Sequence, residues 1–559
     1  MEALHYEALL KFLLAFWFVA VAKAECDLSD QQRGAIDAEA LKLLQSVELG
    51  TYDSIQGTLY FNQLPGIGNP DGKYGVVDLP ASTRPLSFNA YCRKMAKQFP
   101  QIMDQERRFC NLNFAMASSD ALVWNACLPP ESEYFSLSTV LSLRFQPDSW
   151  APLAQYGDSI NQLVVNSTAG KGNLDPFCKT ALFIVTADEV TFHSIRTAYT
   201  RAGFPMEAIN LYPLPAEEIN FRHGIWYLNK YDLLAIQFRI NGGLDQAAVG
   251  AYLAANQTVH LVRRRRGWAE AALGLAAGLM GRAPAKPARP VPMPPLRPRG
   301  DGASEFANHA RDLEDLKDAV REFYEGAGYR LLYEVPFRHV VPDLGRCRTD
   351  PAYAPTVPPQ AAELYNISTP GCDWFTRDAL YSFPGDDVDL GLASMTATRV
   401  VVAVGLNQVL MGKCNFYNFL FSAGSFGQFE DPDHGFDFSC SDAEGSAHIF
   451  GPQIKNVDKM IAWTIARPGV CDDLATHQSS TLSSSTTATR KSRRLDDWNN
   501  TQNQSYFDTW CKEISEEQIS GLFYAVERKY LEPSTYVGAS PDEVIPPSLL
   551  VFDIFTDDL

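Results

Sequence analysis

Three short stretches carry side chains of the kinds that nucleophilic chemistry uses. Tyr156-Gly157-Asp158-Ser159-Ile160-Asn161 sets a serine beside an aspartate and a glycine. Gly405-Leu406-Asn407 follows an apolar run, Val400–Val404, and Asp431-Pro432-Asp433-His434 places a carboxylate three residues ahead of an imidazole. A serine attacks a carbonyl only when a base takes its proton and donors meet the developing oxyanion. Each stretch also has a plainer reading: a turn at Gly157-Asp158-Ser159, a strand end at Asn407 and a surface histidine at His434.

Other candidates are weaker. The acidic turns Glu430–Asp437 and Asp386-Asp387-Val388-Asp389 offer oxygen ligands for a structural calcium, but the glycine and final glutamate of an EF-hand are missing. Solvated turns are the plainer reading, and no other cofactor is expected. Phe416, Tyr417, Phe419, Phe421, Phe426 and Phe429 crowd one strand and its exit. On an exposed face they would stack on sugars, whereas aromatics on both faces of a strand suit burial between layers. The chain has no CxxC, no histidine pair at metal spacing and no glycine loop to cradle phosphate. Zinc ribbons, thioredoxin-type redox chemistry and nucleotide phosphate binding find no support in it.

The first three stretches together resemble the blocks of the SGNH, or GDSL, hydrolases, and they occur in that family's order. The resemblance implies Ser159 as nucleophile, Asn407 as oxyanion donor, His434 as base and Asp431 as its orienting carboxylate. The chain departs from the family in three ways, one being that a ferredoxin-like unit is expected between Ser159 and Asn407. Pro152 and polar residues precede Gly157 where a buried strand is usual, and Gln408 stands where an aspartate is usual. A second resemblance, to an uncharacterised family of secreted algal and bacterial proteins, rests on Tyr134–Leu141, Tyr156–Asn161, Thr186–Ala198, Pro294–Gly302, Val402–Phe419 and Tyr530–Val544. It implies that both halves of the chain form one architecture and that Gly157-Asp158-Ser159 is a family turn. The stretch Arg263–Ala283 is extra to it.

The elements that must position these residues begin after residue 24. Residues 1–24 read as a secretory signal, with Lys11 ahead of the apolar run Phe12–Ala22 and small residues for cleavage at Ala22-Lys23-Ala24. Glu2 and Glu7 are unusual in such a leader. That run is too short to span a bilayer comfortably, and no later segment is long enough. All eleven cysteines follow the leader, so most should pair in an oxidising compartment, and the odd count leaves one over. Five sequons, at Asn166, Asn256, Asn366, Asn499 and Asn503, agree with secretion. A formal charge of −18 argues against nucleic acid as a partner.

The fold class expected is α+β. Residues 180–263 read strand, helix, strand, strand, helix, strand, the order of a ferredoxin-like βαββαβ unit. The first strand, Ala181–Val185, is apolar throughout, so both its faces should be covered. Thr186 and Glu189 have capping-box spacing ahead of the first helix. An α+β domain should therefore occupy 25–263, and a basic, Ala- and Pro-rich linker 264–303. The domain at 304–559 opens with a helix bearing Leu313, Leu316, Val320 and Phe323 on one face. Spaced strands after it suggest an antiparallel sandwich or barrel, interrupted by a Ser/Thr-rich loop at 479–494. Cleavage after Arg266 or Arg494 is a further expectation from the basic runs. The whole reads as a secreted, disulfide-stabilised glycoprotein that binds an unknown ligand at the cell surface or in the matrix. A secreted serine esterase is the alternative.

Overall fold

The computed structural model describes residues 26–62, 72–83, 113–144, 152–172, 175–221, 231–243, 245–265, 286–350, 353, 372, 375–384, 398–423, 435–439, 445–476, 510–513 and 523–554. It is a mixed α+β structure, mostly β, built on two curled sheets that form half-barrels.

The first half begins with α1 (Asp30–Leu44), β1 (Tyr52–Asn62), β2 (Lys73–Asp78), β3 (Asp120–Cys127) and β4 (Ser132–Arg144). Four two-residue strands follow: β5 (Ala154–Gln155), β6 (Ile160–Asn161), β7 (Asn166–Ser167) and β8 (Gly170–Lys171). Then come β9 (Thr180–Thr186), α2 (Glu189–Arg201), β10 (Ile209–Pro213), β11 (Asp232–Gly243), α3 (Gln246–Ala254) and β12 (Gln257–Arg264). The sheet order is β10-β9-β3-β12-β1-β2-β11-β4-β5, with β6 also on β4.

All the expected strands and helices of 180–263 exist, but they do not assemble as a ferredoxin-like unit. That unit splits each parallel strand pair with a strand from the other repeat. Here β9 and β10 are direct parallel neighbours, while β1 and β2 stand between β12 and β11. The helices also take opposite faces. Ile195 and Tyr199 of α2 pack with α1 on Leu182 and Ile184, whereas Tyr252 of α3 joins Trp124 and Phe238 on the other face. The apolar run of β9 is thereby covered on both sides within the chain. The capping-box spacing at Thr186 is not used either. Asp188 is the N-cap, its carboxylate accepting from Thr191 N–H, and Thr186 ends β9.

The second half contains α4 (Glu305–Gly326), β13 (Tyr329–Val340), α5 (Leu344–Thr349), β14 (Ala379–Pro384), β15 (Val400–Leu406) and β16 (Phe416–Ala423). It continues with β17 (Gly435–Ser439), β18 (Met460–Ala466), β19 (Cys511–Glu513), β20 (Phe523–Tyr530) and β21 (Ser548–Ile554). The nine-stranded order is β17-β16-β20-β14-β13-β21-β15-β18-β19, antiparallel except for β18 with β19. Leu313, Leu316, Val320 and Tyr324 of α4 cover Val400, Val402, Val404 and Phe552. Phe337, Tyr417, Phe419 and Trp463 fill the other face. The β16 aromatics are buried on both sides, since Phe416 points instead into a cluster shared with Tyr134 and Ala154 of the first half. Phe426 and Phe429 lie outside the described residues.

Disulfides join Cys26 to Cys127, Cys347 to Cys372 and Cys471 to Cys511. Cys178 is a free thiol, and Cys92, Cys110 and Cys440 lie outside the described residues. No helix among the described residues is long and apolar enough to cross a membrane. The basic run at Arg263 is the end of β12, where Arg265 pairs with Asp53 at 2.6 Å. From residue 286 the chain does not hang as an open linker. Arg289 and Val291 hydrogen-bond to Glu189 and Ala187 of the first half, and Gly302 bonds to Glu543 of the second.

Candidate functional site

The strap formed by residues 286–303 passes between the two sheets, and several loops meet it there. Arg297 donates to the carbonyl of Ser159 from Nη2 and to that of Tyr536 from Nη1, both at 2.6 Å, so it touches both halves at once. Arg377 donates from Nε to Asp158 at 2.6 Å and from Nη2 to the Arg297 carbonyl at 2.7 Å. Arg299 donates to the carbonyls of Ala379 and Ala539 at 3.1 and 3.2 Å. Burial and the neighbouring Arg377 bring the Arg299 guanidinium down to about 10. Close approach of backbone makes this possible. A Cβ on Gly538 would sit 2.6 Å from both Ala379 C and Arg299 Nη1.

Asp378 is the centre of this junction. It is 0% exposed and receives the Ser159 hydroxyl, the Tyr134 hydroxyl at 3.0 Å and the Asn161 amide at 3.4 Å. Burial pushes its carboxyl up, against the downward pull of the Ser159 hydroxyl and the Arg297 charge. Ser159 is 1% exposed, with its side chain and its carbonyl both engaged. The expected turn and the expected nucleophile are thus one place, and the group facing the serine is a carboxylate that the sequence reading did not single out.

Asn407 lies at the end of β15, 2% exposed, and its Oδ1 accepts from the N–H groups of Val409 and Leu410 at 3.2 and 3.3 Å. Its amide oxygen thereby caps the turn that leads to Lys413. Asp431 and His434 lie outside the described residues, as do Asp386–Asp389. Of the four esterase positions, only Ser159 and Asn407 have a described place. Among the sequons, Asn256 is exposed in the turn between α3 and β12, and Asn166 is part-buried in the β7–β8 hairpin. Asn366, Asn499 and Asn503 lie outside the described residues.

Two further polar clusters went unread in the sequence. Asp301, Glu532 and Glu543 bring carboxylate oxygens within 4.8 Å of one another, a spacing that suits a metal ion. Their shared cation is a lysine: Lys413 Nζ lies 2.6, 3.3 and 2.7 Å from Asp301, Glu532 and Glu543. Burial works against the Lys413 ammonium, but the three carboxylates outweigh it and hold its pKa above the ordinary value. In the second cluster, Ser382 Oγ lies 2.8 Å from Lys529 Nζ and 2.9 Å from His339 Nδ1, and Lys529 also bonds to Glu527. His339 Nε2 lies 2.8 Å from the Val544 carbonyl. Burial and the Lys529 charge push the imidazole down to about 3, so it is neutral. That tautomer donates from Nε2 to Val544 and accepts the Ser382 proton at Nδ1, with Lys529 donating to Ser382. Glu527, Lys529, Ser382 and His339 are thus bonded to one another in series, ending on the Val544 carbonyl. Lys529 and Ser382 are 0% exposed, so a substrate has no route to this serine.

Strand alternation hid these groups. Glu527 and Lys529 on β20 look like an exposed polar face in the sequence, yet both are buried. One signal was available. Five of the six stretches that carry the second resemblance supply residues to the junction and the Lys413 cluster: Tyr134, Ser159, Arg297, Lys413 and Tyr536.

No protein-family model matches the chain, and no curated protein does. A solved structure of an uncharacterised protein from Burkholderia cenocepacia is similar at 9% identity and a TM-score of 0.33, covering 96% of this chain and 92% of that one. Likeness at that level says nothing about function.

Proposed function

We propose that this protein is a secreted, disulfide-stabilised glycoprotein that acts by binding, at the cell surface or in the surrounding matrix. The observation that carries the reading is the sealing of Ser159. It is 1% exposed, its hydroxyl is given to Asp378 and its carbonyl is held by Arg297. A nucleophile must reach a carbonyl carbon and keep its proton available to a base. Here the serine instead fastens one sheet to the other. The disulfides at Cys26–Cys127, Cys347–Cys372 and Cys471–Cys511 support an oxidising compartment. The exposed turn at Asn256 supports a glycan.

The test is a fluorophosphonate serine probe on folded protein recovered from the medium of a secreting host, with peptide mass to locate any label. The binding reading expects no label at Ser159. Label there, lost in Ser159→Ala, would refute it in favour of a serine esterase. The same preparation, treated with a peptide:N-glycosidase, should lose mass at Asn256.

A further inference from the structure

The face of the first sheet that meets the second is polar where packed sheets ordinarily bury apolar side chains. Along β11, Leu234, Ile236, Phe238 and Ile240 enter the apolar core, so alternation turns Gln237, Arg239 and Asn241 toward the junction. These three are 4%, 4% and 2% exposed. Arg239 is registered between Tyr74 on β2 and Ser136 on β4, its guanidinium carbon 5.8 Å from the Tyr74 ring centre. Tyr381 and Tyr530, from the second sheet, lie near its guanidinium.

Asn241 lies two positions further along the same face, and neither its Oδ1 nor its Nδ2 has a hydrogen-bond partner. Gln237 Oε1, two positions before Arg239, has none either. An unmet buried polar atom is costly, and here three of them lie along one face of a single strand. A guanidinium fork, an amide N–H and tyrosine hydroxyls are donors that suit an oxyanion. The unmet oxygens of Asn241 and Gln237 each need a hydrogen in return, two in all, which a bare sulfate or carboxylate does not carry.

We propose that the junction between the two sheets binds one small oxyanion that bears two hydroxyls, of which dihydrogen phosphate is the simplest, through Arg239, Asn241 and Gln237. The surrounding residues are sealed, so the anion enters as the halves close and exchanges slowly. This site is independent of the reading of Ser159, because labelling of that serine would leave the anion site in place.

The experiment uses the intact secreted protein, prepared in phosphate and exhaustively dialysed, then denatured, with released anions measured by ion chromatography. About one phosphate per chain is expected, with retention at least about tenfold lower in Asn241→Asp, whose carboxylate repels the anion. Gln237→Leu should also reduce it. Circular dichroism establishes that each variant is folded, and Asn241→Leu replaces Asn241→Asp if that one is not. Preparation in sulfate or in formate should leave less than about a tenth as much anion bound. Folded wild type that releases no small oxyanion overturns the proposal. So does equal retention by the Asn241 and Gln237 variants, which would mean an adventitious ion only. Equal retention of sulfate or formate would overturn the assignment of a hydroxyl-bearing anion.

Discussion

Glu305 opens α4 and is 1% exposed, and its replacement by glutamine should change how stability depends on pH. Its Oε2 accepts from Ile545 N–H at 2.7 Å and from Gln408 Nε2 at 3.4 Å. The other oxygen, Oε1, has no partner, and neither does Oε1 of Gln408. Two adjacent side chains each left with an unmet acceptor lack one hydrogen, and protonating Glu305 supplies it. Burial pushes the carboxyl from 4.5 to about 7, against the pull of Ile545, Gln408 and Lys529. The folded state therefore holds this proton more tightly than the unfolded chain. The resulting stability is fully present below pH 4.5 and is lost as pH rises through about 7, a change of about 3 kcal/mol. Glu305→Gln keeps the shape and is neutral at every pH. It should match the wild type near pH 4.5 and exceed it by up to about 3 kcal/mol near pH 8. Urea denaturation of both proteins across that range measures the difference. Taking the difference matters because His339 works the other way. Its imidazole, held down to about 3, contributes stability that is present above 6.5 and lost as pH falls. A wild-type minus Glu305→Gln difference that stays constant from about pH 4.5 to about pH 8 would refute the reasoning.

Three further outcomes follow from the packing. Arg297→Met removes two charged hydrogen bonds between the halves and should cost roughly 3–5 kcal/mol, splitting denaturant unfolding into two steps. One unchanged transition would show that the strap does not hold the sheets together. Arg144 grips Asp232 with two hydrogen bonds, of 2.9 and 2.7 Å, inside the first half. Arg144→Met alone should cost roughly 3–5 kcal/mol in the same assay, and adding Asp232→Leu should recover part of that, because the single change strands a buried carboxylate. Finally, Cys26–Cys127 spans 101 residues and Cys347–Cys372 spans 25. Loss of the first by Cys→Ala pairs should destabilise by about 1 kcal/mol more than loss of the second if chain entropy dominates. Chemical denaturation of the two double variants decides it.

Much of the local structure was legible in the sequence. Met460–Ala466 is a strand at the expected bounds, and Ile461, Trp463 and Ile465 share a face as their alternation requires. Helix α4 lies where its apolar spacing puts it, although Tyr324 rather than Phe323 completes the fully buried stripe. The β16 aromatics are buried on both faces because no side of that strand is left to water. These properties depend on periods of two and 3.6 residues, which a chain displays without reference to its neighbours.

Pairing and site chemistry belong to the tertiary structure. The strand order that a ferredoxin-like unit needs was readable from element sequence alone, yet β3, formed far upstream, inserts between β9 and β12. Nothing local forbids or announces that insertion, because strand pairing is satisfied by any edge of the right length and register. Ser159 attracted notice for its neighbours in sequence, but the residue that fixes its role is Asp378, 219 positions away. Likewise Lys413 finds its carboxylates at Asp301, Glu532 and Glu543, on opposite sides of it in the chain. By itself the sequence determined which segments must be buried and which types of side chain are present. Only the closing of one curled sheet on the other decided which charges meet, because electrostatic partners are set by distance in space and by the loss of water around them.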